Sequence, residues 1–595
     1  MNAPAPYLVL RDFRVWFPKR KGFLEAMRRS EPDFIRAVDG VDMDILKGEI
    51  YCLVGESGCG KTTTGKGILR LVEPSGGDVF VGAPAEALAS YEEAKGSNRE
   101  DALEDIRERW SLSYRERVQW SVRDIGILTI TCLVGLVLAS GIFAGLVAAS
   151  LVLRVPGADL LAPILAGIVL GAAATLPPAR SVSVLPKVAA AFAIPSLVLG
   201  GLFGAGIAQV AAGSASDLGA TAAAYGRILQ SNVPLLVLQV LVILGTAWIG
   251  ASRGVAYWQA RRGIESDKIR KLRKVLQIIF QDPYESLNPK HSVFDIVSEP
   301  LIVNAITRHP SETKARVRQA LNDAGLRPPE DFMYRYPHEL SGGQRQRVSI
   351  AGALVLDPDF LVADEPVSML DVSIRTEIIE LLLELRKKKG LTYLFITHDL
   401  SLAWILADRI GVMYLGKIVE EGPTSQVVKN PRHPYTKALI SVVPVPDPDR
   451  RHERTILRGE RPDPANIPAG CRFHPRCPVA FEKCGWTSDE VLDELRQVAA
   501  GEAGVQSSLA RAFVDGPLSI TLPDGAATEG WIRATVAGRS EQARALKGIR
   551  SIEASGAGLR LLLHPLVEPT LTSVADHVKV SCHLFGSSDD ARSAS

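Results

Sequence analysis

The sequence predicts an α/β fold interrupted by an all-α insertion of four membrane-crossing helices and followed by a small Cys-rich α+β region. Three observations carry that expectation. A glycine-rich loop joins a short apolar strand to a helix within 50–72, further apolar strands end in polar or acidic side chains at 281, 364–365 and 398–399, and four long uncharged runs fill most of 125–252. The 595 residues leave room for three to five units at roughly 150 residues each. With 68 Lys+Arg against 66 Asp+Glu the formal charge is +2, which argues against a nucleic-acid-coating protein. A 47% hydrophobic content with a mean hydropathy of +0.11 excludes overall disorder. Seven Cys in so long a chain make no secreted disulfide scaffold, and the first residues lack a basic-then-apolar signal pattern, so the first domain is expected in the cytosol.

The first unit spans 7–83. IYCLV at 50–54 reads as a buried strand, and GESGCGKTT at 55–63 leads into a helical pattern, which is GxxxxGK[ST] in strand–loop–helix context. Gly55, Ser57, Gly58 and Gly60 let backbone N–H groups curl round phosphates, with Thr63 opening the helix. Lys61 reaches the β/γ-phosphates and Thr62 offers a hydroxyl to Mg²⁺.

Residues 84–123 are charged and read either as a helix bridging to the membrane or as a solvated linker. The region 124–253 follows, with runs at 125–153, 160–179, 188–216 and 228–252 that lack charged side chains. Each meets the ~20 residues that span a bilayer. Their alternative is a set of Ala/Gly-rich helices in a soluble core, disfavoured because soluble helices of this length carry a polar stripe. Arginines and lysines cluster before, after and in the middle of the runs, which places both termini and the middle loop on the cytoplasmic side of a multi-pass cell-membrane protein. With no ionisable residue inside them, the runs read as a lipid anchor or docking scaffold.

The second unit, 264–440, holds three more strands. One ends at Gln281, whose amide can reach Mg²⁺ and the attacking water; a second ends in Asp364-Glu365, where Asp364 faces Mg²⁺ and Glu365 is the catalytic base. The third delivers His398, a catalytic group within reach of the γ-phosphate. Ser341, Gly342, Gly343 and Gln344 precede a helix, with Ser341 as N-cap, and form a second anion cradle. Two cradles in one chain imply composite nucleotide sites formed across a dimer.

Together these motifs resemble the ATP-binding subunits of ABC transporters, and FQDPYESLNP at 280–289, PRHPYTKALI at 431–440 and GCRFHPRCP at 470–478 resemble those of dipeptide/oligopeptide importers. The resemblance implies an ABC ATPase with a RecA-like core, an antiparallel β subdomain and a helical signature subdomain, using ATP and Mg²⁺. It makes 55–63 the Walker A loop, Gln281 the Q-loop, 340–344 the signature, and Asp364-Glu365 the end of the Walker B strand. Asp371 falls in the D-loop, and His398 is the switch histidine. Phe17 becomes the aromatic that stacks on adenine, with Trp16 as its rival. The implied partners are two permease subunits, a homologous ATPase subunit and an extracytoplasmic substrate-binding protein, besides membrane lipid. A membrane-anchored ATPase with a regulatory or scaffold role, and an importer of nickel or oligosaccharide, stay open as alternatives.

The region 441–484 ends in Cys471, Cys477 and Cys484; 485–581 mixes helical and strand patterns as a small α+β module; and 582–595 begins with Cys582. Clustered thiols point to a soft metal site, and four would suit Zn²⁺ or an iron–sulfur cluster. The family resemblance implies a [4Fe–4S] cluster with Cys582 as fourth ligand, Zn²⁺ and free thiols remaining as alternatives. His433, His474 and His583 read as packing residues in loops.

Overall fold

The computed structural model describes residues 6–19, 34–111, 269, 271–443, 454–457, 459–523, 528–539, 543–555, 558–575 and 577–585. The chain divides into two compact units, 1–114 with 269–595, and 115–268. The described residues belong to the first.

Strands β1 (Pro6–Pro18), β2 (Phe34–Leu46), β3 (Ile50–Val54), β4 (Gly76–Val81), β5 (Leu276–Ile279), β6 (Phe360–Asp364), β7 (Thr392–Thr397), β8 (Arg409–Tyr414) and β9 (Lys417–Pro423) form the larger half of the described chain. Among the described residues, β2, β1 and β4 make an antiparallel sheet, whereas β5, β6, β7, β3 and β8 pair in parallel in that spatial order. Parallel strands are covered on both faces, so they read as unbroken apolar runs. Every residue of β3, β6 and β7 is buried. Helix Lys61–Ile68 leaves the end of β3 with Ile68 in the same core as Leu53, Val362 and the β1 side chains Leu10 and Phe13.

Helices Val293–Val303, Pro310–Asp323 and Gly342–Leu354 pack through Val297, Leu301, Val317, Leu321 and Val348. The charged stretch after β4 is not one bridging rod where it is described: helices Ala85–Gly96 and Glu100–Trp110 are separated at Asn98, whose φ of 52° breaks the first. Both fold back on β4, where Asp78 accepts hydrogen bonds from the Tyr91 hydroxyl (2.7 Å), Arg107 Nε (2.9 Å) and the Ser111 hydroxyl (3.0 Å).

Downstream, β10 (Phe513–Gly516), β11 (Ser519–Leu522), β12 (Ile549–Ser555) and β13 (Gly558–Leu563) form an antiparallel sheet in the order β10-β11-β13-β12, accompanied by helices Ser488–Val498 and Glu529–Arg539. Then β14 (Thr572–Ala575) and β15 (Val578–Val580) rejoin the central sheet, β15 pairing with β9 at Lys579↔Glu421. The module is therefore an excursion that starts and ends beside the central sheet.

The expected fold class is corrected in one part. Among the described residues no helix is long and apolar enough to cross a membrane. The longest, Val372–Lys389 at 18 residues, carries Arg375, Glu377, Glu380, Glu384 and a basic last turn, charges that hydrocarbon does not accept. The four runs of 124–253 lie outside the described residues. The all-α four-helix transmembrane insertion and the multi-pass membrane localisation are thus unsupported, and the fold of the described residues is that of the α/β core.

Candidate functional site

The parallel register sets Val54 beside Thr397, Asp364 beside Ile396, and Ile279 beside Ala363. Everything that follows those strands (the 55–63 loop, Gln281, Asp364-Glu365 and His398) consequently emerges along one edge of the sheet, where α/β folds bind ligands. The loop's shape needs two glycines in particular. A Cβ on Gly55 (φ 156°) would stand 2.2 Å from the Met413 carbonyl oxygen, and one on Gly60 (φ 110°) 2.1 Å from that of Ala37. Lys61 is buried with its Nζ donating to the carbonyls of Gly55 (2.8 Å) and Glu56 (3.0 Å), so the ammonium stands inside the ring of backbone amides.

The Thr62 hydroxyl donates to Asp364 Oδ1 at 2.8 Å. A hydroxyl beside a carboxylate is the hard-oxygen chemistry that Mg²⁺ takes together with phosphate oxygens, so these residues fit that ion. Burial pushes the Asp364 carboxyl above its ordinary range, opposed by the Thr62 hydrogen bond and by Lys66. Next to it, Glu365 has a φ of 45°, a left-handed conformation costly for a non-glycine residue and concentrated at functional sites. Its backbone N–H is held by the Ile396 carbonyl at 3.0 Å. One oxygen, Oε2, accepts from Gln281 Nε2 at 3.3 Å and meets His398 Nδ1 at 3.0 Å.

Thr62, Gln281, Glu365 and His398, with Asp364 just behind Thr62, border a cleft of about 570 Å³ whose other wall carries Phe17, Ile35, Ala37 and Pro464. Phe17 is 39% exposed there. Trp16 is otherwise engaged, its Nε1 donating to Asp39 at 3.0 Å and its ring tilted against Phe34. Ser57, Gly58, Gly60, Lys61, Thr62, Thr63, Gln281, Glu365 and His398 border the same cleft. Ser341, Gly342, Gly343, Gln344 and Asp371 do not. Ser341 is an exposed N-cap, its hydroxyl accepting from the Gln344 N–H at 3.3 Å while Gln344 Oε1 accepts from the Ser341 N–H at 3.1 Å. Gly342 packs near Leu370, so the signature and the segment before Asp371 meet each other on a separate surface.

Sequence reasoning missed the residues that hold the loop from behind. Arg476 forms a two-pronged ion pair with Glu56 (2.8 and 3.1 Å), and the Tyr435 hydroxyl accepts from the Glu56 N–H at 2.9 Å. The signal was present in PRHPYTKALI and GCRFHPRCP, which had no assigned task in the site. His433 is buried, its Nδ1 accepting from the Tyr435 N–H at 3.0 Å, and burial holds its pKa down at about 3.

The four thiols come together in the fold. The return of β15 brings Cys582 to the neighbourhood of Cys471, Cys477 and Cys484, and burial, with the other thiols adding, pushes the latter three up to about 12. Among the described residues, however, no three His, Cys, Asp or Glu side chains are arranged to hold a metal ion. Cys471, Cys477, Cys484 and Cys582 are free cysteines, and the expected [4Fe–4S] or Zn²⁺ site is unsupported.

A sheet edge that gathers an amide-lined loop, a hydroxyl–carboxylate pair and a carboxylate held between amide and imidazole defines the class of nucleotide-hydrolysing α/β domains. The sequence profile of the ABC transporter family matches residues 38–120 and 247–368, and that of the oligopeptide/dipeptide transporter C-terminal region matches 419–484. The dipeptide transport ATP-binding protein DppF of Haemophilus influenzae is 48% identical over 235 residues, 39% of this chain and 71% of that one. The oligopeptide transport ATP-binding protein OppF of Escherichia coli K12 is 45% identical over 247 residues, 40% of this chain and 72% of that one. The chain belongs to the ABC-transporter ATP-binding family of the oligopeptide/dipeptide type and is an ATPase of transport, using ATP and Mg²⁺.

Proposed function

We propose that this chain is the energy-coupling subunit of an importer of di- and oligopeptides, working with two permease subunits, a homologous ATPase subunit and an extracytoplasmic substrate-binding protein. The observation that carries the reading is the convergence on Glu365. Its carboxylate, held by Gln281 and His398, is placed to take the proton of a water attacking the γ-phosphate, and His398 orients that carboxylate through Nδ1. Mg²⁺, bound by Thr62, Asp364 and Gln281, would neutralise charge on the phosphates. Phe17 stacks on the adenine, and Lys61 with the loop amides binds the phosphates.

The separation of Ser341 and Asp371 from the cleft supports an arrangement in which each cradle completes the site of a second ATPase subunit. Reconstitution with the cognate permeases tests the substrate class. ATP-dependent uptake of labelled di- and oligopeptides, lost in Lys61→Ala, is the expected result; uptake of nickel or oligosaccharide in place of peptide would overturn it.

A further inference from the structure

The 459–466 segment lies between the last helix of the ATPase half and the cysteine loop, and it passes over the phosphate-binding loop. The Arg461 guanidinium rests on Gly58: Nη1 and Nη2 stand 2.8 and 3.0 Å from where a Cβ on Gly58 would be. Only a glycine at φ 73° lets it approach so closely. Among the described residues Arg461 has no hydrogen-bond or ion-pair partner, whereas the other arginine aimed at this loop, Arg476, pairs with Glu56 through Nη1 and Nη2. Three residues on, Pro464 forms part of the cleft wall together with Phe17 and Ile35. The intervening backbone is fixed by a turn in which Asp463 accepts from the Ala465 N–H (2.9 Å, side chain) and the Asn466 N–H (2.8 Å, backbone).

A half-buried guanidinium with five donors and no partner, set against a loop built to hold anions, is one ligand short. We propose that Arg461 is a nucleotide-binding residue of this chain, lying over the phosphate loop so that its guanidinium contacts the phosphates of bound ATP or ADP. The inference rests on the nucleotide site proposed above and adds a group to it from the C-terminal region. The chemistry fits Arg better than Lys, because a planar fork can serve two phosphate oxygens at once.

Calorimetric titration of the purified full chain tests this with Mg·ATP, Mg·ADP and adenosine. Arg461→Ala is expected to weaken ATP and ADP about tenfold, about 1.4 kcal/mol, and to leave adenosine binding unchanged, with Arg461→Lys intermediate. The apo melting temperature should not move, since the side chain makes no hydrogen bond within the protein. Unchanged affinity for ATP and ADP, or an equal loss for adenosine, would overturn the assignment. Lys61→Ala in the same titration separates the two levels. If Lys61→Ala abolishes ATP binding while Arg461→Ala has no effect, the inference fails and the site stands; if Lys61→Ala binds normally, the site itself fails.

Discussion

The Thr62 hydroxyl and the Asp364 carboxylate, 302 positions apart in the chain, share a 2.8 Å hydrogen bond. The two residues end up together because β3 and β6 both flank β7 in one parallel sheet, so the segments following them face the same edge. The chain leaves that half beside β4, where Ser111 bridges to Phe80, and returns at Leu272, which packs in the same core as Ile68 and Leu69.

Asp364 supplies a pH test. Burial raises its folded-state pKa above the unfolded value of 3.8, so the stability it contributes is fully present below that value and is lost as pH rises through the folded pKa. Asp364→Asn keeps the acceptor for Thr62 without the charge. In thermal melts at neutral pH without nucleotide or Mg²⁺, the variant should exceed the parent by about 2 °C, and the gap should close as pH falls into the ordinary carboxylate range. With Mg·ATP the order should reverse, because the amide offers no charge to the ion. A variant that melts lower at every pH would refute this account of the site.

Arg476 and Glu56 join the C-terminal region to the phosphate loop, with the guanidinium side chain only 11% exposed. Removing one partner strands the other's hydrogen bonds, at about 2 kcal/mol for a charged pair. Chemical denaturation of Arg476→Ala should show that loss, and Arg476→Lys, which lacks the planar fork, should recover only part of it. A variant as stable as the parent would mean that the pair does not secure the loop.

Gly60 tests the shape of the loop. Alanine there puts a methyl 2.1 Å from the Ala37 carbonyl oxygen at φ 110°, so the strand carrying Ala37 or the loop must move. The expected cost is about 3 kcal/mol, together with loss of ATP binding in the same titration. Parental affinity for ATP in Gly60→Ala would show that the loop does not use the conformation described.

Much of this site is legible in sequence because each motif combines a buried strand with the polar group at its end. IYCLV, FLVAD and TYLFIT are apolar on both faces, and sheet geometry then fixes where 55–63, Asp364 and His398 emerge. Within 485–581, the structure has helix Ser488–Val498 and strand β13 among its elements. What resists reading is contact without periodicity. The Arg476–Glu56 pair spans 420 positions and Arg461 lies over Gly58 by tertiary packing alone, and neither leaves a local pattern. The cysteine spacing brings four thiols into one neighbourhood, yet among the described residues no group of three His, Cys, Asp or Glu side chains is arranged to hold a metal ion. Hydropathy likewise proposed four crossings at positions outside the described residues, and the longest described helix is amphipathic and charged.

The central claim is that the two separated stretches of sequence build one hydrolytic site, with Glu365 as its base. The direct measurement is single-turnover hydrolysis of labelled Mg·ATP by the full chain, its Glu365→Gln variant and its Lys61→Ala variant. Glu365→Gln should retain ATP with parental affinity and cleave it at least about a hundredfold more slowly, whereas Lys61→Ala should fail to retain it. Hydrolysis at the parental rate in Glu365→Gln, or undiminished ATP retention in Lys61→Ala, would contradict the claim.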